Sequence, residues 1–506
     1  MAKYIMLQGT SSHVGKSVLT AALCRIFFQD GEKVVPFKAQ NMALNSYVTK
    51  DGKEMGRAQV AQAEAAGLEP QVEMNPVLLK PTGNSRSQVI LMGQPIGNMS
   101  AKEYHTGYSL KALDTVKRCL KTLDNDYETI VIEGAGSPAE INLKANDIVN
   151  MRIAKLLQAP VLLVADIDRG GALASVVGTL ELLDDEEKDL IKGIIINKFR
   201  GDINLLKPAL DFLEDKTGKP VIGVIPHLDN IGVDDEDSVS LNEKVMKKEN
   251  ADLVIAVLKT PKISNFTDFD SLGNEPDVLL KYIGKGEAIG KPDLLIIPGT
   301  KNTIEDLSYL YDNGYYDEIQ QCADEDIPII GICGGYQMLG QEVFDPHHME
   351  SNRDHIKGLG LLNTRTTFSK NKFTYQITAT YLGQGFLGIE NVEESLDGYE
   401  IHMGKSEFLG EVHHAFKITN QMNDKKVYHD GLISDNGLVM GTYIHGIFDN
   451  DNFRRTLLNA LRKRKNLKPL DKIINTYAQK QHSYNRLANM VRNSMKMDLI
   501  YKMMEK

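Results

Sequence analysis

The sequence of 506 residues predicts an α/β protein with two domains, each built on a mostly parallel β-sheet that helices cover. Short apolar runs alternate with helical stretches in residues 1–233 and again in residues 251–452. The runs are apolar at successive positions, which is typical of strands that are buried on both faces. Residues 234–250 are densely charged and lack aromatic side chains, so they predict a linker. Residues 453–506 predict a helical C-terminal extension.

The composition argues against several classes of protein. Lys and Arg number 58 against 68 Asp and Glu, and this net charge of −10 argues against a general nucleic-acid binder. No apolar run approaches the roughly 20 residues that a membrane-spanning helix needs. The four cysteines include no Cys-x-x-Cys pair, and the first apolar run is too short for a signal peptide. We therefore expect a cytoplasmic protein without a membrane or nucleic-acid partner.

A glycine-rich loop lies between the first apolar run and an apolar helix. The backbone N–H groups of such a loop bind phosphate at a helix N-terminus, a lysine adds positive charge, and a serine hydroxyl suits Mg2+. The loop therefore predicts binding of ATP, with Ser17 also a ligand of Mg2+. The residues expected to bind ATP are Gly9, Thr10, Ser11, Gly15, Lys16 and Ser17.

Polar residues end three later apolar runs of the first series, namely Glu133, Asp166 and Asn197. Open α/β sheets bind their ligands at the carboxyl ends of the strands, so these side chains are expected near the phosphate loop. We expect Glu133 to be the carboxylate ligand of Mg2+, with Asp166 as the second candidate. The amide of Asn197 is expected to contact the adenine of ATP.

The second series contains a candidate nucleophile, Cys333, which lies between the apolar run IPIIGI and two glycines. A sharp turn from strand to helix lifts a nucleophile above the sheet, and the helix N-terminus favours the thiolate. The glycines after Cys333 permit such a turn. This context distinguishes Cys333 from an ordinary buried cysteine.

A cysteine nucleophile needs a base, which the fold brings close. We expect His445 to be this base, because it ends the strand-like run LVMGTYI, and His402 is the second candidate. Gly299 follows another apolar run, and its N–H group is expected to stabilise an oxyanion together with that of Gly334.

Taken together, the motifs resemble those of the adenosylcobyric acid synthase family, the glutamine-dependent amidotransferases of cobalamin biosynthesis. The resemblance implies a P-loop domain of the dethiobiotin synthetase type, followed by a glutamine amidotransferase domain of the triad type. It extends over almost the whole chain and is carried by the segments GTSSHVGKS, PFKAQNMALNS, EMGRAQVAQAEAA, NPVLLKP, IEGAGSPAEINL, ADIDRGG, NKFRGD, PGTKNT, GICGGYQMLG, GYEIHMG and YIHGIFD.

The resemblance also implies a reaction. Glutamine would be hydrolysed at Cys333 with His445 as base, while ATP would activate carboxylates of a corrinoid as acyl phosphates that ammonia attacks. The b, d, e and g carboxylates of adenosylcobyrinic acid a,c-diamide would be amidated in turn. The family motifs further imply that four residues lie near the corrinoid or Mg2+, namely Gln40, Asn41, Glu54 and Arg57.

One departure from the broader glutaminase pattern concerns the acidic residue of the triad. Many triad amidotransferases have an acidic residue two positions after the base. Ile447 occupies that position here, so the third member of the triad is unassigned.

Two alternative functions stay open. The nearest is a cobyrinate a,c-diamide synthase, against which PFKAQNM and EMGRAQ argue. The other is a MinD-like ATPase switch with a degenerate amidase domain, against which the intact Cys333 and His445 motifs argue.

Overall fold

The computed structural model describes residues 2–83, 85–228, 232–234, 241, 248, 251–383, 385–392, 394–422 and 426–505. The chain divides into two compact units. The first comprises Met1–Ala43, Met55–Glu236 and Tyr477–Lys506, and the second comprises Leu44–Glu54 and Asp237–Thr476. Most of the expected linker, residues 234–250, lies outside the described residues.

A six-stranded parallel sheet forms the centre of the first unit. The strand Lys3–Gly9 is buried at all positions except its first and has strands on both sides. This burial agrees with the apolar runs in the sequence and confirms the predicted fold class. The order across the sheet is Val221–Pro226, Ile191–Phe199, Val161–Asp166, Lys3–Gly9, Thr129–Glu133 and Val34–Phe37.

A second, four-stranded sheet in the first unit was not predicted from the sequence. Its order is Gln40–Met42, Val77–Gly83, Arg86–Leu91 and Gln94–Ser100. The last two strands form a hairpin whose turn residues, Met92 and Gly93, have φ values of 49° and 74°. Positive φ at both positions gives the turn the twist that a two-residue hairpin needs.

Helices cover the sheets of the first unit. The helices before its C-terminal segment are Lys16–Gln29, Arg57–Ala65, Ala101–Glu103, Ser109–Asp126, Met151–Leu157, Ala172–Glu181, Asp185–Leu190 and Ile203–Thr217. Along the described part of the chain, no helix is both long and apolar enough to span a membrane.

Two C-terminal helices, Thr476–Ser494 and Met497–Met504, complete the apolar core of the first unit. Leu487 and Val491 are almost fully buried and belong to the same core cluster as Ile222 on the central sheet. The preceding helix, Asp451–Arg464, belongs to the second unit. Residues 453–506 are therefore shared between the units, whereas the sequence suggested a single extension.

An eleven-stranded mixed sheet forms the second unit. Its parallel half consists of Val278–Ile283, Leu253–Leu258, Leu294–Ile297, Ile329–Ile332 and Val439–Thr442. The remaining strands are Tyr428–Ile433, His413–Gln421, Thr364–Tyr381, Glu342–Phe344 and His355–Lys357, with Leu396–Phe408 paired to Thr364–Tyr381. The helices of this unit are Asp270–Gly273, Thr303–Asp312, Tyr315–Asp324, Gly334–Leu339 and Asp451–Arg464. Parallel pairing brings the carboxyl ends of the central strands to one edge of the sheet.

Residues 44–54, here called the arm, belong to the second unit although the sequence on both sides of them belongs to the first. The hydroxyl of Thr374 donates to the carbonyl of Gly52 at 2.8 Å. The carboxylate of Glu54 forms a buried ion pair with the ammonium of Lys372. A buried charge needs such a partner, so the pair fixes the end of the arm to the long strand Thr364–Tyr381.

Replacing Leu487 with alanine is expected to destabilise the first unit by about 2–5 kcal/mol, because the substitution leaves a cavity in the core. Urea unfolding of the full chain, followed by circular dichroism, measures the effect as a lower midpoint of the unfolding transition. Asn489→Ala, at an exposed position of the same helix, is the control. Equal midpoints for the two variants would contradict the role of these helices in the core.

Candidate active sites

The phosphate loop, residues 9–17, joins the central strand to the first helix. Gly15 has a φ of 97°, which favours glycine, and a Cβ at Gly9 would lie 2.6 Å from Cγ2 of Val14. The ammonium of Lys16 donates to the carbonyls of Ser11 and Gly136, at 3.0 and 3.1 Å. The loop thus has the compact shape and the internal cation that a phosphate site requires.

Thr10 and Ser11, at the start of the phosphate loop, form hydrogen bonds to backbone carbonyls. The N–H group of Thr10 donates to the carbonyl of Val164 at 2.9 Å, and the hydroxyl of Ser11 donates to the carbonyl of Ser12 at 3.1 Å. The first contact fixes the start of the loop to the neighbouring strand Val161–Asp166.

The carboxylate of Glu133, which is fully buried, accepts from three side chains. The hydroxyl of Ser17 and the ammonium of Lys38 both lie 2.8 Å from Oε1, and the amide of Gln62 lies 2.6 Å from Oε2. These donors compensate the buried charge. The expected pair of Ser17 and Glu133 is therefore brought together.

Lys38 and Gln62 were missed in the sequence. Lys38 directly follows the apolar run Val34–Phe37, so it carried the same strand-end signal that singled out Glu133. Gln62 lies on the helix Arg57–Ala65, and only the tertiary fold turns it toward Glu133.

Asp166 and Asn197 lie on the other side of the central strand from Glu133. Asp166 pairs with the ammonium of Lys198 at 2.9 Å and accepts from the backbone N–H of Asp168 at 3.0 Å. The amide of Asn197 donates to the carbonyl of Val14 at 2.8 Å. Asn197 therefore contacts the backbone of the phosphate loop, as its expected position near the loop requires. Asp166 pairs with Lys198 and lies on a different strand from Glu133.

Gln40 and Asn41 lie on the first strand of the four-stranded sheet. The side-chain oxygen of Gln40 accepts from the hydroxyl of Tyr104, and the amide of Asn41 donates to Gln59 at 2.9 Å. Gln59 is on the same helix as Gln62, which donates to Glu133, so this helix links Asn41 to the Glu133 carboxylate.

The other two expected corrinoid residues make ion pairs. The guanidinium of Arg57 donates to Asp234 at 2.7 Å, in the first unit. Glu54 belongs to the arm of the second unit, where it pairs with Lys372. The four residues are therefore divided between the units.

Cys333 occupies a strained turn between the strand Ile329–Ile332 and the helix Gly334–Leu339. Its φ and ψ of 52° and −106° are unusual for a residue with a side chain. A Cβ at Gly335 would lie 2.0 Å from the carbonyl oxygen of Ile297, so only glycine fits there. Strain of this kind is common where a side chain must be held for chemistry.

The other three cysteines are buried in apolar surroundings. Burial raises the pKa of the Cys24 thiol, and it raises the pKa of Cys119 to about 12 and that of Cys322 to about 11. A thiol with such a pKa is a poor nucleophile near neutral pH. These three thiols are therefore poor candidates for the nucleophile.

A buried acid, Asp268, orients His445. Nδ1 of His445 lies 2.6 Å from Oδ2 of Asp268, whose other oxygen accepts from the N–H of Gly446 at 3.1 Å. Nε2 of His445 has no hydrogen-bond partner among the described residues. Burial lowers the pKa of His445, but the charges of Asp268 and Cys333 raise it more, to about 10. The histidine is thus prepared to remain protonated.

Asp268 is the acid that the sequence left unassigned. It precedes His445 by 177 residues and lies in the turn Phe266–Phe269, so no local pattern connects the two. The turn follows the strand Leu253–Leu258, and a position beyond the carboxyl end of a parallel strand was the one available signal.

His402, the second candidate base, is held elsewhere. Its Nδ1 lies 2.7 Å from the carbonyl oxygen of Gly404, and its ring stacks on Tyr443 with centroids 3.8 Å apart. Gly299, an expected oxyanion residue, lies next to His445, because a Cβ at Gly299 would lie 3.2 Å from Cε1 of the histidine. A Cβ at Gly334 would lie 3.1 Å from the backbone nitrogen of Thr300. The expected oxyanion residues therefore share the edge of the sheet with Cys333 and His445.

Asp268→Asn is expected to lower the pKa of His445 from about 10 toward the ordinary histidine value, because the neutral amide no longer stabilises the imidazolium. NMR titration of the chain labelled at its histidine rings measures this pKa, with His445→Gln identifying the resonance. Asp397→Asn, at an exposed position of the same unit, is the control. An unchanged pKa in Asp268→Asn would show that Asp268 does not set the protonation of His445.

Two family models match the chain. Residues 5–241 match the CobQ/CobB/MinD/ParA nucleotide binding domain, and residues 254–453 match the CobB/CobQ-like glutamine amidotransferase domain. These matches agree with the phosphate loop in the first unit and the Cys333 site in the second.

Curated relatives match over nearly the whole chain. A cobyric acid synthase of Pelotomaculum thermopropionicum is 58% identical over 468 residues, which cover 92% of this chain and 89% of the relative. That of Moorella thermoacetica is 55% identical and covers 97% of this chain and 95% of the relative. That of Desulfitobacterium hafniense is 53% identical and covers 99% and 98%. The chain therefore belongs to the cobyric acid synthase family of ATP-dependent glutamine amidotransferases.

Proposed function

We propose that this protein amidates the b, d, e and g carboxylates of adenosylcobyrinic acid a,c-diamide in cobalamin biosynthesis, using ATP and glutamine and giving adenosylcobyric acid. The observation that carries the proposal is the presence in one chain of a phosphate loop and of a cysteine site with a buried His445–Asp268 pair. The first can activate a carboxylic acid, and the second can release ammonia from a carboxamide. Membership of the cobyric acid synthase family supports the choice of substrate.

Glutamine hydrolysis would begin with attack of the Cys333 thiolate on the carboxamide carbon. The imidazolium of His445 would give its proton to the leaving nitrogen, so that ammonia departs and a thioester remains. His445 would then take a proton from water as the water attacks the thioester, and the thiolate and glutamate would be released. Asp268 would keep the imidazole in the required orientation, and the N–H groups of Gly299 and Gly334 would stabilise the oxyanion.

Amidation would use ATP bound at the phosphate loop. An oxygen of the corrinoid carboxylate would attack the γ-phosphorus of ATP, which gives an acyl phosphate and ADP. Ammonia would then attack the acyl carbon and expel phosphate. Lys16 would stabilise negative charge on the transferred phosphoryl group. Asn197 is proposed to contact the adenine, and Gln40, Asn41, Glu54 and Arg57 to act on the corrinoid side.

The residues at the phosphate loop fit a magnesium ion. The hydroxyl of Ser17 and the carboxylate of Glu133 are adjacent hard oxygen ligands, and Mg2+ takes its other ligands from water and phosphate oxygens. We propose Ser17 and Glu133 as its protein ligands, with Asp166 as the second candidate. When bound, Mg2+ would neutralise charge on the phosphates.

We propose that the protein is located in the cytoplasm. Its four cysteines are free, which fits the reducing conditions there.

Cys333→Ala is expected to abolish glutamine-dependent amidation and to leave ammonia-dependent amidation within about twofold, because ammonia bypasses the thiol. Lys16→Ala should lower both by about a hundredfold or more, because phosphoryl transfer loses its cation. Mass spectrometry of the corrinoid, incubated with MgATP and adenosylcobyrinic acid a,c-diamide, measures the number of new amides.

Amidation of cobyrinic acid alone would instead identify a cobyrinate a,c-diamide synthase. Absence of amidation and of glutamine hydrolysis would favour an ATPase switch. Normal use of glutamine by Cys333→Ala would overturn the assignment of the nucleophile.

Glu133→Gln is expected to raise the Mg2+ concentration for half-maximal ammonia-dependent amidation by about tenfold or more, because a neutral amide is a weaker ligand than a carboxylate. Asp166→Asn is the matched variant, and it should change this concentration less. Titration of both variants with Mg2+ makes the comparison. A larger effect in Asp166→Asn would transfer the ligand role to Asp166.

A further inference from the structure

The arm, residues 44–54, packs against the turn that carries Asp268. The side-chain oxygen of Asn45 accepts from the N–H of Phe266 at 3.1 Å, and the N–H of Ser46 donates to the side-chain oxygen of Asn265 at 3.2 Å. Asn45 and Ser46 are 0% and 1% exposed, so these bonds form away from water. Loss of either partner would leave a buried polar group unpaired, which is costly.

This turn sets the position of the acid. Asn265 has a φ of 53°, and its carbonyl accepts from the N–H of Asp268 at 3.0 Å. Asparagine adopts the left-handed region more readily than most residues, and the bond from Ser46 fixes its side chain to the arm. A shift of Asn265 is transmitted directly to Asp268 by the backbone bond.

The arm also reaches the histidine of the pair, through Tyr399. The ring of Tyr399 stacks on that of His445, with centroids 5.1 Å apart and planes at 17°. The two residues exchange backbone hydrogen bonds of 2.8 and 3.2 Å. The hydroxyl of Tyr399 donates to the carbonyl of Ser46 at 3.3 Å and accepts from the amide of Asn265 at 3.1 Å. Tyr399 thus connects the arm, the turn and the base.

We propose that the arm is a positioning element of the glutamine-hydrolysing site, with Asn45 and Tyr399 as positioning residues for Asp268 and His445. The inference rests on the proposed function in taking glutamine as the substrate. The arm would fix the distance between the carboxylate of Asp268 and the imidazole of His445, and the strength of the ion pair depends on this distance. Loosening the arm would weaken that pair without removing either member.

The test compares Asn45→Ala and Tyr399→Phe with Asp51→Asn. Asp51 lies at an exposed position of the arm and contacts Thr49 and Lys53, so its change keeps the bonds between the arm and the turn. Tyr399→Phe keeps the ring on His445 and removes the hydroxyl bonds to Ser46 and Asn265. Two quantities are measured in the full chain: the pKa of His445 by NMR of labelled histidine rings, and kcat and KM for glutamate release.

We expect Asn45→Ala and Tyr399→Phe each to lower the pKa of His445 by about half a unit or more and to lower kcat about tenfold, with KM for glutamine within about twofold. Ammonia-dependent amidation should stay within about twofold of wild type. Asp51→Asn should leave all of these quantities unchanged.

A pKa of His445 that is the same in Asn45→Ala, Tyr399→Phe and Asp51→Asn would overturn the proposal, whatever happens to kcat, since general loosening can lower kcat alone. If Asn45→Ala fails to fold, Tyr399→Phe decides by the same criterion. Should the pKa shift as expected while the corrinoid is never amidated, the proposed function fails and the role of the arm stands.

Discussion

The ion pair between Asp268 and His445 is the interaction on which the chemistry of the second unit depends. Both side chains are buried, where an imidazolium without a counter-charge would lose its proton. The carboxylate reverses that tendency, so the ring keeps its proton. The parallel sheet makes the arrangement possible, because it sets the ends of its strands side by side and delivers Cys333 and His445 to one edge.

The first unit meets the same constraint differently. Glu133 is also a fully buried carboxylate, but its partners are the hydroxyl of Ser17, the ammonium of Lys38 and the amide of Gln62. These donors compensate the buried charge of Glu133 and orient its carboxylate. In each unit, a buried carboxylate is therefore compensated by donors from other elements of the fold.

The sequence predicted what local patterns determine. The phosphate loop and the turn at Cys333 are short segments whose glycines and neighbouring apolar runs specify their shape, and the fold class followed from those runs. Asp268 escaped prediction because its partner is 177 residues away. The helices in residues 453–506 were predicted, but neither the unit that each of them joins nor the arm was predicted, for a related reason. An amphipathic or strand-forming segment indicates that it will be buried, but it does not indicate which of two cores will bury it.

The route of the chain has a consequence for biosynthesis on the ribosome. The core of the nucleotide-binding unit includes Leu487 and Val491, whereas the other residues of that unit end near position 236. At usual elongation rates the nascent sheet waits roughly half a minute for the helices that cover it. During this interval Ile222 and its neighbours remain accessible to chaperones. A segment translated after the second unit therefore completes the first.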